Sequence, residues 1–313
     1  MSIEFREVKP KYERLAEETA VALKRFLFDR EISSFDIEHR VKDEKSFEDK
    51  IERKGCTNPF EEIEDIAGVR VICYYKNDLK TIHDIIQQNF DVLSVSNKAE
   101  ELEVDQFGYT SNHYVVTIKQ DWLVTPHYKG LDNLKVEIQV RTMLMHAWAA
   151  ISHKLLYKKQ DDVPNEFKRK LNRLSALIEL ADEQFDDIQL MKNDYQQNVH
   201  TSQVVAINSD SFIAIAKQYF PERDYKENDV PLFLNELREY VTDLNDFENR
   251  IQRCLPILEE MEREEQPNKE YPAWGLVGIS RTILDLTSEE YFAKRRYLPQ
   301  NVLHITDKYR KKI

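Results

Sequence analysis

Between Lys135 and Lys158 the hydrophobic pattern changes period once. Val136, Ile138 and Val140 alternate with Glu137, Gln139 and Arg141, the two-residue repeat of a half-buried strand. From Met143 the apolar positions return at helical spacing, at Ala147, Ala150, Ile151 and Leu155, with Thr142 placed as an N-cap. A strand running straight into a helix, with an acid, an amide and a guanidinium at the junction, fits a nucleotide site. It also fits a plain β-α unit whose outer face is polar.

The same reading places the other elements. Residues 8–30 carry Tyr12, Leu15, Thr19, Leu23 and Phe26 on one stripe, an amphipathic helix. Phe35, Ile37 and Val41 predict a short strand that turns Arg40 and Lys42 to the opposite face. Residues 43–54 read as a helix with Phe47 and Ile51 inward, ended by Gly55. The β-rich run 69–75 follows Asp65 and Gly68; a helix over 77–89, a strand over 90–96 and a strand over 113–119 complete a mixed α/β pattern. Beyond Asp161 the texture is helical. Phe167, Leu171, Leu174, Leu177, Ile178, Ala181, Phe185 and Ile188 mark one long amphipathic helix. Three further helices and two apolar helical patches follow it. The expected boundary lies at 207/208, dividing an α/β domain, 1–207, from a helical module, 208–313.

Composition narrows the class. The 313 residues are 41% hydrophobic and 33% charged, with 6 Gly and 10 Pro, which suits a globular chain without long low-complexity linkers. Cys56, Cys73 and Cys254 are scattered and odd in number, which points to a reducing, cytoplasmic setting. No apolar run is long enough to span a membrane, and no membrane partner is expected. A net charge of -12 opposes indiscriminate nucleic-acid binding, though a local basic groove is compatible with it.

Candidate chemistry lies before Asp161. Lys42, Ser46, Lys50 and Arg53 gather around the start and one side of a single helix, a set that would hold a polyphosphate; an ordinary charged helix face gives the same spacing. Asp65 and Glu137 are the acids placed at strand ends, and two carboxylates with substrate phosphates suffice for Mg²⁺. The sequence alone does not bring these two acids together. Tyr109, after a glycine, could present its ring to a base or pack on the sheet.

Four blocks, in order, resemble the synthetase domain of the RelA/SpoT family, which makes the alarmones pppGpp and ppGpp. They are HRVKDEKSFEDKIERKG, DIAGVRVI, FGYTSNHYVV and VEIQVRTMLMHAWAAISHKLLYK. The resemblance implies a nucleotidyltransferase-like mixed sheet flanked by helices, here followed by an all-helical C-terminal region. It implies transfer of the β,γ-diphosphate of ATP to the 3′-hydroxyl of GTP or GDP with Mg²⁺, in the stringent response. On that resemblance Arg40 clamps the adenine and Lys42, Ser46, Lys50 and Arg53 hold the ATP phosphates. Asp65 and Glu137 bind the metal, Glu137 accepts the hydroxyl proton, and Gln139 joins them as a catalytic residue. Tyr109, His113 and His146 line the acceptor pocket, with Gln139 beside them.

Two departures qualify the expectation. Just before Gly108-Tyr109 and directly after it, where the family often carries basic residues for acceptor phosphates, the sequence reads EVDQF and Thr110. Lys98, Lys119 and Lys129 are the available substitutes. The hydrolase module of bifunctional members has no counterpart ahead of the first block, so synthesis alone is expected, and the His83-Asp84 dipeptide reads as incidental. The runner-up is a toxic pyrophosphokinase of the same family acting on a tRNA 3′-end or an adenosine nucleotide; a third reading is an inactive nucleotide sensor. The C-terminal helices leave room for a homo-oligomer or a protein partner.

Overall fold

Alternating strands of the first half assemble into one mixed sheet. Its strands are β1 (Ser34–Val41), β2 (Ala67–Cys73), β3 (Asp91–Asn97), β4 (Asn112–Thr117) and β5 (Val136–Thr142), in the order β1-β2-β5-β4-β3. β2 and β5 run parallel at the centre, and every other pairing is antiparallel. The computed structural model describes residues 2–97, 111–155, 164–198, 206–226 and 228–313.

The two-residue period decides the faces. Val69 lies level with Ile138, which lies level with Tyr114, and Val71 with Val140. These side chains are buried on one face with Leu15 and Leu23 of α1 (Ser2–Asp29) and Ile82 and Ile86 of α4 (Asp78–Asn89). Burying such side chains contributes about 1.5–3 kcal/mol each. The interleaved residues, Gly68, Arg70, Glu137, Gln139 and His113, therefore share the opposite face.

Between β1 and β2 lie α2 (Glu44–Lys54) and the short α3 (Pro59–Glu62). Asp43 caps α2, accepting from Ser46 N at 2.8 Å, and Gly55 ends it in the left-handed region at φ 65°. α3 was not expected. It begins on a proline, whose fixed φ suits the first helical turn. A second short helix, α5 (Gln120–Leu123), follows β4.

β5 passes directly into α6 (Met143–Leu155), with Thr142 Oγ1 accepting from Met145 N at 3.2 Å as the expected cap. α6 packs against β2 and β5. Its regular apolar repeat is not its buried face: Met143, Ile151 and Leu155 are exposed, while Met145 and Ser152 are buried. α7 (Asn165–Asn198) behaves likewise. Leu171, Ser175, Asp182 and Asp186 are buried, and Phe167, Leu174, Leu177 and Phe185 are exposed. Polar anchoring explains the shift, since Asp182 accepts from Thr142 Oγ1 at 2.7 Å and Asp186 from Asn77 N at 3.3 Å.

The chain divides into two compact units, Met1–Asp187 and Ile188–Ile313, within α7 rather than at 207/208. The second unit contains α8 (Ser209–Tyr219), α9 (Asp229–Tyr240), α10 (Leu244–Glu265), α11 (Leu276–Thr287), α12 (Glu289–Lys294) and α13 (Gln300–Arg310). Phe212, Phe233, Phe247, Ile251, Ile279 and Ile283 form its core. Gly275, before α11, lets the backbone close on Asp224: a Cβ there would lie 2.9 Å from the Asp224 carbonyl oxygen. α13 lies beyond the two apolar helical patches that the sequence pattern predicts. It is held by Leu303 and Tyr309, both buried.

Candidate active site

Register sets the site. Arg40, Gly68 and Glu137 stand level across β1, β2 and β5; in the next row stand Glu38, Arg70, Gln139 and His113, across β1, β2, β5 and β4. A cleft of about 320 Å³ opens over these rows, lined by Arg40, Asp65, Gly68, Arg70, Glu137 and Gln139 among others. The Arg40 side chain lies across Gly68, its Cγ 3.8 Å from where a Cβ would be.

Asp65 precedes β2 and draws both lysines of the helix start to it. Lys42 Nζ lies 2.8 Å and Lys50 Nζ 2.6 Å from Asp65 Oδ2. Burial works against the charged carboxylate, but the two ammonium groups outweigh it and hold Asp65 below its ordinary range. Asp65 Oδ1 is buried with no hydrogen-bond partner. An orphaned carboxylate oxygen costs free energy unless something else meets it.

Glu137 is fixed at both oxygens. Its Oε1 lies 2.8 Å from His113 Nδ1, and its Oε2 accepts from Gln139 Nε2 at 2.8 Å. Burial again raises its pKa, and the contacts from His113 and Gln139 more than reverse that, so Glu137 is held ionised. Repulsion from Asp65, which lines the same cleft, works against that in smaller measure. The other ring nitrogen of His113 lies 2.6 Å from Ser111 Oγ. His113 is thus clamped between Ser111 and Glu137.

Arg40, Asp65, Glu137 and Gln139 therefore meet in one cleft, and Lys42, Lys50 and His113 join it through the two acids. Ser46 stands at the α2 start, where its hydroxyl donates to Asp43 Oδ2 at 2.8 Å. Arg53 is exposed in the last turn of α2. His146, on α6, does not line the cleft; its Nδ1 is buried without a partner, and burial and then Arg141 push its pKa down. Tyr109 and Lys98 lie outside the described residues. Of the substitute cations, Lys119 donates to the Gln88 carbonyl at 2.6 Å, at the end of α4. His83 is a packing residue, its Nδ1 3.1 Å from Tyr114 OH.

Arg70 and Glu38, both lining the cleft, escaped the sequence reading. Arg70 lines the cleft and donates to Glu38 Oε2 at 2.6 Å. The signal was present: Arg70 is two residues past Gly68 and so shares its face.

Among the described residues no group of three or more His, Cys, Asp or Glu could hold a metal ion. The two acids still suit Mg²⁺, which is content with one or two carboxylates plus substrate phosphates, and the free Asp65 Oδ1 is a vacant hard donor. Asp65 and Glu137 are the side chains that would hold it.

A sequence model of the region found in RelA / SpoT proteins matches residues 39–162, the segment that builds this cleft. The GTP pyrophosphokinase YjbM of Bacillus subtilis is 33% identical over 185 residues, 56% of this chain and 84% of that one. The chain belongs to the RelA/SpoT family. A second family member, the GTP pyrophosphokinase YwaC of the same organism, is 34% identical over 154 residues, 47% of this chain and 71% of that one. Among solved structures, small alarmone synthetase 1 from Bacillus subtilis aligns with a TM-score of 0.52 at 29% identity, covering 61% of this chain and 98% of that chain. A GTP pyrophosphokinase family protein from Streptococcus pneumoniae aligns with a TM-score of 0.52 at 28% identity, covering 63% and 97%. The mixed sheet with flanking helices is thus the family fold, and the chain is an enzyme of the GTP pyrophosphokinase family, a transferase. Among the described residues, no helix is long and apolar enough to cross a membrane.

Proposed function

We propose that this chain transfers the β,γ-diphosphate of ATP to the 3′-hydroxyl of GTP or GDP, giving a guanosine (penta- or tetra-)phosphate and AMP. The observation that carries the reading is the convergence of Lys42, Lys50, Asp65 and Glu137 on one side of a cleft walled by two guanidinium groups, Arg40 and Arg70. Diphosphate transfer asks for little covalent chemistry from a protein. It asks for positioning and for charge placed where charge develops. A relative, small alarmone synthetase 1 from Bacillus subtilis, is known bound to its product pppGpp, and aligns at 30% identity with a TM-score of 0.50.

In this reading Arg40 and Arg70 flank the adenine, and Lys42 and Lys50 turn from Asp65 to the β- and γ-phosphates. Mg²⁺, held by Asp65 and Glu137 with the donor phosphates, would offset charge on the transferred group. Glu137, oriented by His113 and Gln139, would accept the proton of the attacking acceptor hydroxyl. Tyr109 would stack on the acceptor base, with His113 and His146 nearby.

One sequence feature favours a different acceptor: no Lys or Arg lies between Lys98 and Lys119, so no cation close to Tyr109 in sequence meets a guanosine 5′-diphosphate. The deciding experiment offers γ-³²P-ATP and Mg²⁺ with GDP, GTP, ADP, ATP or bulk tRNA in parallel. Label on GDP or GTP is the expected result. Label on tRNA or an adenosine nucleotide would overturn the guanosine acceptor and keep the chemistry; no label on any acceptor would overturn both and leave a nucleotide sensor.

A further inference from the structure

The helical unit holds a cavity larger than the synthetase cleft. It measures about 500 Å³ and is lined by Glu236 and Tyr240 of α9, Arg281 of α11, and Tyr291, Lys294, Arg295 and Tyr297 at and just after α12, among others. Volumes of this order hold small-molecule ligands. The first question is which of these groups the fold already uses.

Arg281 and Glu236 are used. Arg281 donates to Glu236 through Nε at 3.0 Å and Nη2 at 2.5 Å, and Tyr291 OH donates to the same carboxylate at 2.9 Å. That bidentate pair is electrically closed. Tyr240 and Tyr291 pack edge to face, with ring centroids 5.1 Å apart.

One ring is unused, and two paired cations stand beside it. Tyr297 is 79% exposed at the cavity wall, so its ring is available on the surface. Lys294 donates to Tyr240 OH at 2.6 Å and lies over that ring, 5.0 Å from its centroid, with a largely exposed side chain; its nearest acids are Glu290 at 3.3 Å and Glu239 at 3.9 Å. Arg295 donates to Asp285 at 2.8 Å through Nη1, while its Nε is buried without a partner. Burial pushes the Asp285 carboxyl up to about 7, so near neutral pH Arg295 faces an acid that carries only part of its charge.

The cavity thus combines an open aromatic ring with two adjacent cations. A cationic ligand is disfavoured, because Lys294 and Arg295 already lie over the Tyr240 and Tyr291 rings. We propose that the cavity walled by Tyr240, Lys294, Arg295 and Tyr297 binds a nucleoside phosphate, its base stacked on Tyr297 and its phosphate met by Lys294 and Arg295.

The test uses the full chain and GDP, titrated calorimetrically in EDTA so that transfer does not proceed. Tyr297→Ala and Lys294→Glu change exposed side chains outside the synthetase unit, and each should weaken one GDP-binding event about tenfold or more. Tyr297→Phe should restore it, and transfer kcat should be unchanged in all three. Isotherms identical to the unaltered chain, or no GDP binding attributable to these residues, would overturn the site. Guanosine and inorganic phosphate separate the two halves of the ligand: each alone should bind more weakly than GDP. Phosphate binding as tightly as GDP, and unaffected by Tyr297→Ala, would overturn the stacked base and leave an anion site.

Discussion

Lys50 Nζ lies 2.6 Å from Asp65 Oδ2, and Lys42 Nζ meets the same oxygen at 2.8 Å. One carboxylate oxygen thus stores two ammonium groups beside the cleft while the other oxygen is left without a partner. The arrangement keeps two cations in place before any polyphosphate arrives, and their carboxylate is the one assigned to the metal. Lys50→Ala should cost about 1.5–3 kcal/mol of transition-state stabilisation, about ten- to a hundredfold in kcat/KM for ATP. Steady-state kinetics at saturating acceptor reads this directly, and an unchanged kcat/KM would remove Lys50 from the donor site.

Asp65→Asn should abolish transfer and also leave Lys42 and Lys50 facing each other without their anion. The stability consequence has a definite sign. The Asp65 carboxyl is held below its ordinary value in the folded chain, so its contribution is present above the unfolded pKa of about 3.9 and fades as pH falls through the folded value. Urea unfolding at pH 7 should therefore show Asp65→Asn less stable than the unaltered chain, with the gap narrowing below about pH 4. A gap that widens in acid would contradict the paired carboxylate.

His113 was expected to line an acceptor pocket, and its clamped position between Ser111 and Glu137 gives it a second task. A residue that orients a catalytic or metal-binding carboxylate typically carries about 10- to 100-fold in activity. His113→Ala should therefore lower kcat by that order. A rise in acceptor KM with kcat intact would return His113 to the acceptor pocket alone.

The contrast between these residues shows what the sequence could convey. Strand alternation carried the face assignments: once Glu137 and Gln139 were set against Val136, Ile138 and Val140, the polar row followed. Capping chemistry carried the end of α2 and the start of α6, through Gly55 and Thr142. Strand order is not local information, and only the parallel pairing of β2 with β5 brings Asp65 near Glu137. Apolar periodicity misplaced the buried faces of α6 and α7 because there polar anchors such as Asp182 set the rotation. Arg70 was overlooked for a simpler reason: its two-residue offset from Gly68 was not followed across the strand.

The thiols give a check on the packing that is independent of activity. Cys73 and Cys254 are buried, and burial pushes both thiols up to about 12, whereas Cys56 is partly exposed. At pH 8 a thiol with so high a pKa stays protonated and unreactive. A disulfide exchange reagent should therefore titrate one thiol in the native chain and all three after unfolding in guanidinium. Rapid native reaction of two or three would mean that a core strand, β2, or the central helix α10 is open.

The helical unit has its own keystone. Arg223 and Glu262 form a buried ion pair, and Glu262 Oε1 also accepts from Ala273 N at 2.6 Å and Trp274 N at 2.5 Å. One carboxylate therefore ties the connection between α8 and α9, the last turns of α10 and the approach to α11. Breaking a buried pair strands the remaining charge, at about 3–5 kcal/mol. Glu262→Ala should shift the denaturant midpoint of the chain downward by an amount of that order, with Arg223→Met in the same background restoring part of it, because the stranded guanidinium is then gone. Equal destabilisation in the single and double variants would mean that the backbone contacts of Glu262, and not its charge, hold this unit together.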